Sequence, residues 1–287
     1  MRVFITGATG LVGRALIRRL IERGDTAIAL SRNAEGARKR SDARVEWVEG
    51  DPSRLGEWRK RLEGCEAVVN LAGEPVVGRR WNEALKDSIR TSRVDATRNL
   101  AQAIRDSSPP ARVFVSSSAV GYYGPLDFNT EVEETHGPGT DFLADVCKQW
   151  EAATDLGPAQ GTVRKVILRI AVVLAAEGGA LAKMLTPFKL GLGGRVGSGA
   201  QPFPWIHLHD LVELILWSLD SPKVNGVFNA GAPQGVTNRE FTRVLARVLG
   251  RPAFFPVPAF ALRLLFGDGA YILLTGQRIV PKRAREL

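Results

Sequence analysis

Two hydrophobic rhythms alternate along this chain. Short apolar runs rich in β-branched residues recur at VFIT (3–6), AIAL (27–30), VEWVEG (45–50), AVVNLA (67–72), RVFVSS (112–117) and KVILRI (165–170). Runs of this kind predict strands buried on both faces. Between them lie amphipathic segments of helical length. LVGRALIRRLIERG places Leu11, Ala15, Leu16, Leu20 and Ile21 on one stripe and stops at Gly24, a fitting C-terminal cap. LGEWRKRLEG (55–64) repeats the scheme, and the long segment 81–110 is ended by Pro109–Pro110. Strand–helix alternation at this spacing predicts an α/β fold, a doubly wound parallel sheet with right-handed crossovers.

Beyond residue 170 the rhythm changes. EGGALAKMLTPFKLGLGGRVGSGAQPFPW (177–205) is too dense in glycine and proline to be one regular element. HDLVELILWSLDS then predicts a helix capped by Asp210, and GVFNAGAP a strand and turn. TNREFTRVLARVLGRP predicts a helix capped by Thr237 or Asn238. Two units follow: residues 1–174 as the main α/β domain and 175–287 as a small C-terminal α+β lobe, with some later segments returning to the first.

Composition narrows the class. Apolar residues at 45% and charged residues at 24% describe a globular protein able to bury a core. No apolar run nears the roughly 18–20 residues that span a bilayer, and the N-terminus lacks a signal-peptide pattern, so no membrane partner is expected. Cys65 and Cys147 are too few for a disulfide framework and too isolated for a metal, which predicts reduced thiols and a cytoplasmic protein. His207, His209 and Asp210 lack a further ligand, so no metal is expected there either. The net charge is +9, but its cations are scattered over helix surfaces without a nucleic-acid module. A basic surface suited to phosphorylated ligands is the better expectation, with no nucleic acid.

The first turn after the first strand reads Gly7-Ala8-Thr9-Gly10-Leu11-Val12-Gly13. Its glycines turn the chain, admit a diphosphate and pack helix on strand, and the helix N-terminus favours the anion. A loop of this kind between a strand and a helix is a dinucleotide site, with Thr9, Leu11 and Val12 completing it. The second strand ends on Ser31-Arg32, where an acid would accept the ribose hydroxyls and repel a 2′-phosphate. A hydroxyl and a guanidinium favour the phosphorylated cofactor NADP(H) instead. Asp51 after the third strand is placed for the adenine edge. Leu71, Ala72 and Gly73 after the fourth let the dinucleotide pass close to the sheet, and Ser116 ends the fifth beside it.

TGATGLVG, GDP, NLAG, VSSSAVGYYG, ILRIAVVL and PWIHLHDLV together resemble an extended short-chain dehydrogenase/reductase of the nucleoside-diphosphate-sugar epimerase type. NLAGEPV, RRWNE, FKLGLGGRVGSGAQPFPWIH and LLTGQRIVPKR resemble, more narrowly, its atypical "epimerase family" subgroup. The resemblance covers the whole chain and implies a Rossmann fold and NADP(H). It implies no particular reaction or substrate.

Family members pair a Ser or Thr with Tyr-x-x-x-Lys, the lysine lowering the tyrosine pKa for proton transfer. Ser118 matches the serine, but the helix reads FLADVCKQWE: one register puts Leu143 at the tyrosine position and Cys147 at the lysine position, the next puts Ala144 and Lys148 there, and neither restores the pair. Tyr122 or Tyr123 could supply the proton from another direction, Tyr123 being the candidate retained. Cys147 is expected to behave as a buried small hydrophobe. Arg93 is either a cofactor-diphosphate contact or a surface arginine. Arg79 is a candidate contact for an anionic substrate, and Trp205 lines the substrate cleft or packs in the core. Two functions follow: an oxidoreductase or epimerase-like enzyme on an unidentified carbonyl or alcohol, or a protein that binds NADPH and reports its redox state.

Overall fold

The computed structural model describes residues 1–287. The first half of the chain contains β1 (Arg2–Thr6), α1 (Leu11–Glu22), β2 (Thr26–Ser31), α2 (Ala34–Arg38), β3 (Glu46–Glu49), β4 (Ala67–Asn70), α3 (Glu83–Asp106), β5 (Val113–Ala119), β6 (Glu131–Val132) and α4 (Phe142–Ala152). The second half contains β7 (Arg164–Ile170), β8 (Val172–Ala175), α5 (Gly179–Lys189), β9 (Trp205–His207), α6 (Leu208–Asp220), β10 (Gly226–Ala230), α7 (Asn238–Leu249), α8 (Ala259–Phe266), α9 (Tyr271–Leu274), β11 (Arg278–Ile279) and α10 (Lys282–Glu286).

The six expected strands join β10 in one parallel sheet, ordered β3-β2-β1-β4-β5-β7-β10. This is the doubly wound Rossmann architecture. Alternation along the strands feeds two cores. Val3 and Ile5 face the layer of α1 and α6, whereas Phe4, Ile28, Val68 and Phe114 face Leu100 and Ile104 of α3. Both faces are covered, as a parallel sheet requires.

Two local expectations need correction. Residues 55–64 form no α-helix but a 3₁₀ segment over Glu57–Leu62, because only Trp58 and Leu62 are buried and so brief a stripe cannot hold a longer helix. The cap of α6 is His207, whose ring nitrogen accepts the His209 N–H at 3.2 Å. Asp210 sits in the first turn, where its charge meets the helix dipole. Within the glycine-rich region, residues 179–189 are nonetheless helical, even with Pro187 inside, and the glycines begin to break the chain only beyond them. Thr237 caps α7 through a reciprocal box with Glu240, as its sequence implies.

Later segments return to the main layer. β10 pairs with β7, and α6 packs on α1. The segments that do not return hold α5, α7, α8 and α9. Among them, Gly178 and Gly179 lie against the Leu11 side chain, so the base of α5 covers the glycine loop. No helix is long and apolar enough to cross a membrane.

Candidate active site

The strand order reverses between β1 and β4, so the loops leaving their carboxyl ends diverge and open a crevice. Gly7 turns the chain there with φ +66°, and a Cβ on it would run into the Leu71 carbonyl. A Cβ on Gly13 would strike the Gly7 carbonyl, which explains why α1 can sit so close to β1. Gly10 caps α1 without any side-chain hydrogen bond, and no acid occupies the first turn. By contrast α3, α4, α6 and α7 all carry side-chain caps. The first-turn N–H groups of α1 therefore have no side-chain partner. Thr9 helps hold the loop, its carbonyl accepting from Arg14 at 2.5 Å, and Val12 packs against the core.

A buried polar ladder keeps the crevice in shape. Thr6 donates to Asn70 Oδ1 at 2.6 Å, and Asn70 Nδ2 donates to Thr97 at 2.7 Å and to Ser116 at 3.3 Å. Ser117 donates to the Asn70 carbonyl at 2.8 Å, and the Trp150 indole to Thr97 at 2.8 Å. The ladder ties β1, β4, β5, α3 and α4 together below Leu71, Ala72 and Gly73. Such fully satisfied buried groups cost little to enclose and much to disrupt.

At the end of β2, Ser31 Oγ accepts the Asn33 N–H at 3.1 Å. Arg32 is exposed and makes no ion pair or hydrogen bond within the chain. Its neighbours are engaged: Arg38 with the Trp47 carbonyl, Lys39 with Glu35 and Arg40 with the Gly36 carbonyl. Asp51 Oδ1 accepts from the Ser53 N–H and hydroxyl, which leaves its other oxygen free.

A second buried polar network surrounds Ser118 at the end of β5. Ser118 donates to Glu151 Oε1 at 2.7 Å, and Arg169 grips both Glu151 oxygens at 2.9 Å. Ser118 and Arg169 are register partners on β5 and β7. Burial alone lowers the Arg169 pKa, but hydrogen bonds and charge from Glu151 outweigh it and raise the value. Arg169 also donates to the Tyr123 hydroxyl at 2.9 Å, and Tyr123 in turn donates to Asn229 at 2.6 Å. Tyr123 is thus sealed in this network, 2% exposed, with burial raising its pKa against Arg169.

Leu143 stands beside Gly121 just beyond Ser118, and Cys147 faces the Ser118 hydroxyl, the Ala119 N–H and Arg93. The Arg93 guanidinium lies against Gly73, 5.2 Å from the Trp150 ring centre, and donates to the Ile89 carbonyl at 3.1 Å. It brings a cation beside Cys147. Burial lowers its pKa, an effect opposed by Cys147 and Glu74. A hydroxyl also reaches the first turn of α4, from the C-terminal lobe. Tyr271 donates to Asp141 Oδ1 at 2.9 Å and faces the Leu143 N–H. It packs against the cluster of Trp81, Leu85, Ile89 and Val146, edge-on to Trp81 at 5.8 Å. Burial first, then Asp141, raises the Tyr271 pKa.

The substrate candidates lie apart. Arg79 pairs with Glu74, while Lys183 reaches Gly78 in the same loop. Trp205 lines a narrow cleft with Phe203 and Gln234, next to a cavity of about 360 Å³ edged by Glu131, Gln234 and Arg278. Glu151, Arg169, Asn70 and Tyr271 escape the sequence reading. Arg169 alone leaves a signal there: a single charge inside an apolar strand demands a buried partner.

The family described as NAD dependent epimerase/dehydratase matches residues 3–231, and a domain of unknown function, DUF1731, matches residues 257–287. The epimerase family protein SDR39U1 of Mus musculus is 41% identical over 99% of this chain and 92% of its own length. The chloroplastic SDR39U1 homolog of Arabidopsis thaliana is 42% identical over 100% of this chain and 82% of its own. A crystal structure of human SDR39U1 with NADPH superposes with a TM-score of 0.90 at 37% identity, covering 100% of this chain and 93% of that one.

Removing one partner of the Arg169–Glu151 pair strands a buried charge, so Glu151→Ala should cost about 3–5 kcal/mol in urea unfolding. Retention of full stability would show that the pair carries no such strain. Burial pushes the Cys65 thiol up to about 11 and the Cys147 thiol up to about 12. Their contribution to stability is complete below the ordinary thiol value of 9.0 and is lost as pH rises through these folded values. Ellman's reagent at about pH 8 should leave both thiols untouched in the native protein and label both in denaturant.

Proposed function

The chain belongs to the NAD dependent epimerase/dehydratase family, and from that premise we propose an NADP(H)-binding oxidoreductase or epimerase-like protein acting on a carbonyl or alcohol of a small anionic substrate. The observation that carries the reading is the free Arg32 guanidinium at the end of β2, on the same crevice as the uncapped α1. The NADPH of the human relative supports it.

The residues fit that cofactor. The α1 N–H groups hold its diphosphate, Ser31 and Arg32 its 2′-phosphate, and the free oxygen of Asp51 the adenine amino group. Leu71 to Gly73 and Ser116 line its path. Arg93 supplies beside Cys147 the positive charge that lysine carries in relatives with Tyr-x-x-x-Lys. When bound, NADPH supplies hydride.

Ser118 is as buried as Tyr123 and commits its single O–H to Glu151, so it positions Glu151 at the edge of the site and keeps only an acceptor lone pair toward the crevice. Tyr123 is occupied on both sides inside the core, whereas Tyr271 is half-buried and held by the half-buried Asp141 beside Leu143, so the proton falls to Tyr271 once its hydroxyl turns from Asp141 to the substrate. Burial and Asp141 keep Tyr271 protonated, so it holds the proton that reduction requires, and as a weak acid it gives that proton up only to the charge that develops on the substrate oxygen. Lys183, on the rim near Gly78, and Trp205 bound the substrate side, with Arg79 held back by Glu74. The main domain spans 1–174 and the substrate lobe 175–287, with α6 and β10 lent back to the sheet. Two buried thiols suit a reducing compartment such as the cytoplasm.

Arg32→Asp should weaken NADPH binding by roughly ten- to a hundredfold in calorimetry and leave NADH nearly unchanged. Equal losses would refute the assignment. Mixed with NADPH and a panel of carbonyl compounds, the protein should consume the reduced nicotinamide. Tyr271→Phe should reduce that turnover at least about a hundredfold with NADPH affinity intact. Leu143 and Cys147 favour a second reading, a protein that reports NADPH to a partner. Tight NADPH binding without turnover of any compound supports that reading and overturns the enzyme.

A further inference from the structure

Large apolar side chains are seldom left bare in one region without a use. Here most of the exposed ones lie in the second lobe. Phe254, Phe255 and Phe260 are 83%, 67% and 73% exposed, and Val248, Leu190 and Leu264 are comparably bare. The chain brings several of them side by side. Val257 N–H donates to the Arg195 carbonyl at 2.8 Å, Gly197 N–H to the Val257 carbonyl at 2.9 Å, and Gly194 lies against the Phe255 carbonyl. The loop after α5 therefore runs along the loop after α7, setting Leu190 and Leu192 beside the Phe254–Phe255 tip, while α8 continues directly from it.

The charge around this ridge is one-sided. Segments 187–197 and 238–266 hold seven cations against one acid, Glu240, which is committed to capping α7. None of these cations forms an ion pair with the rest of the chain. On α7, Arg243 and Arg247 alternate with Val244 and Val248 on the exposed side, and Arg251 follows. A second copy of this chain would bring like charges together, so self-association is disfavoured. An acidic, fluid apolar phase satisfies both features: phenylalanines enter the acyl boundary while arginines meet the headgroups.

We infer that the α7–α8 face docks the protein on an anionic lipid bilayer surface. The absence of a spanning helix does not bear on this, because such a protein lies on the membrane rather than across it. The site is separate from the NADP(H) crevice and independent of the reading proposed for it.

The test is flotation of the full-length protein with vesicles of phosphatidylcholine alone or with about one third phosphatidylglycerol. Binding should be confined to the anionic vesicles and fade with salt. The Phe254→Ser/Phe255→Ser and Arg247→Glu/Arg251→Glu proteins should each lose it at least about tenfold. Unchanged circular dichroism melting and NADPH affinity would confirm that these exposed positions leave the fold intact. No binding to anionic vesicles at low salt overturns the inference. So does equal binding by the double serine protein, or a concentration-dependent dimer that the same change dissolves while vesicles stay unbound.

Discussion

A guanidinium enclosed in an apolar strand governs much of this molecule. Arg169 sits 4% exposed on β7, where an unpaired charge could not survive. Its solution is to bind everything around it. Glu151 arrives from α4 with two oxygens, Tyr123 from the turn after β5, and the Glu134 carbonyl from the loop beyond. Tyr122 lies face-on 3.5 Å below the guanidinium carbon. Through Tyr123 the network reaches Asn229 on β10, whose amide donates to the Val132 and Val280 carbonyls. One charge thereby connects the sheet, α4, and the segment near the C-terminus.

The same network sets the protonation pattern of the proposed site. With Ser118 turned toward Glu151, the hydroxyl is a fixed acceptor rather than a free rotor. Cys147 contributes no charge, since burial keeps its thiol protonated, and the nearby cation is Arg93 on α3. Compared with the family's Tyr-x-x-x-Lys, positive charge has moved from one helix to its neighbour, and a phenol from the second lobe stands at the first turn of α4. The electrostatics that a single motif supplies elsewhere are here distributed over three elements.

The second lobe divides its labour. Its α5 base covers the glycine loop through Leu11, while its outer face combines bare phenylalanines with unpaired arginines. Neither feature stabilises the isolated chain. Exposed apolar groups and like charges both oppose folding in water, so their concentration on one face is explained by what that face meets.

Short apolar runs and their spacing determined the parallel sheet, because strands buried on both faces must be apolar throughout and crossovers need helical lengths. The glycine loop was equally legible: Gly7 needs a positive φ and Gly13 a bare Cα, demands that act within a few residues. The place of Ser31-Arg32 was legible too, since it depends only on where β2 ends. Tertiary structure decided the rest. The pairing of Arg169 with Glu151, the sealing of Tyr123, the approach of Tyr271 to Leu143 and the approach of Arg93 to Cys147 join positions from 18 to well over a hundred residues apart. Periodicity and local motifs carry no information across such gaps, because which buried charge finds which partner is settled only when the sheet brings them within hydrogen-bonding reach.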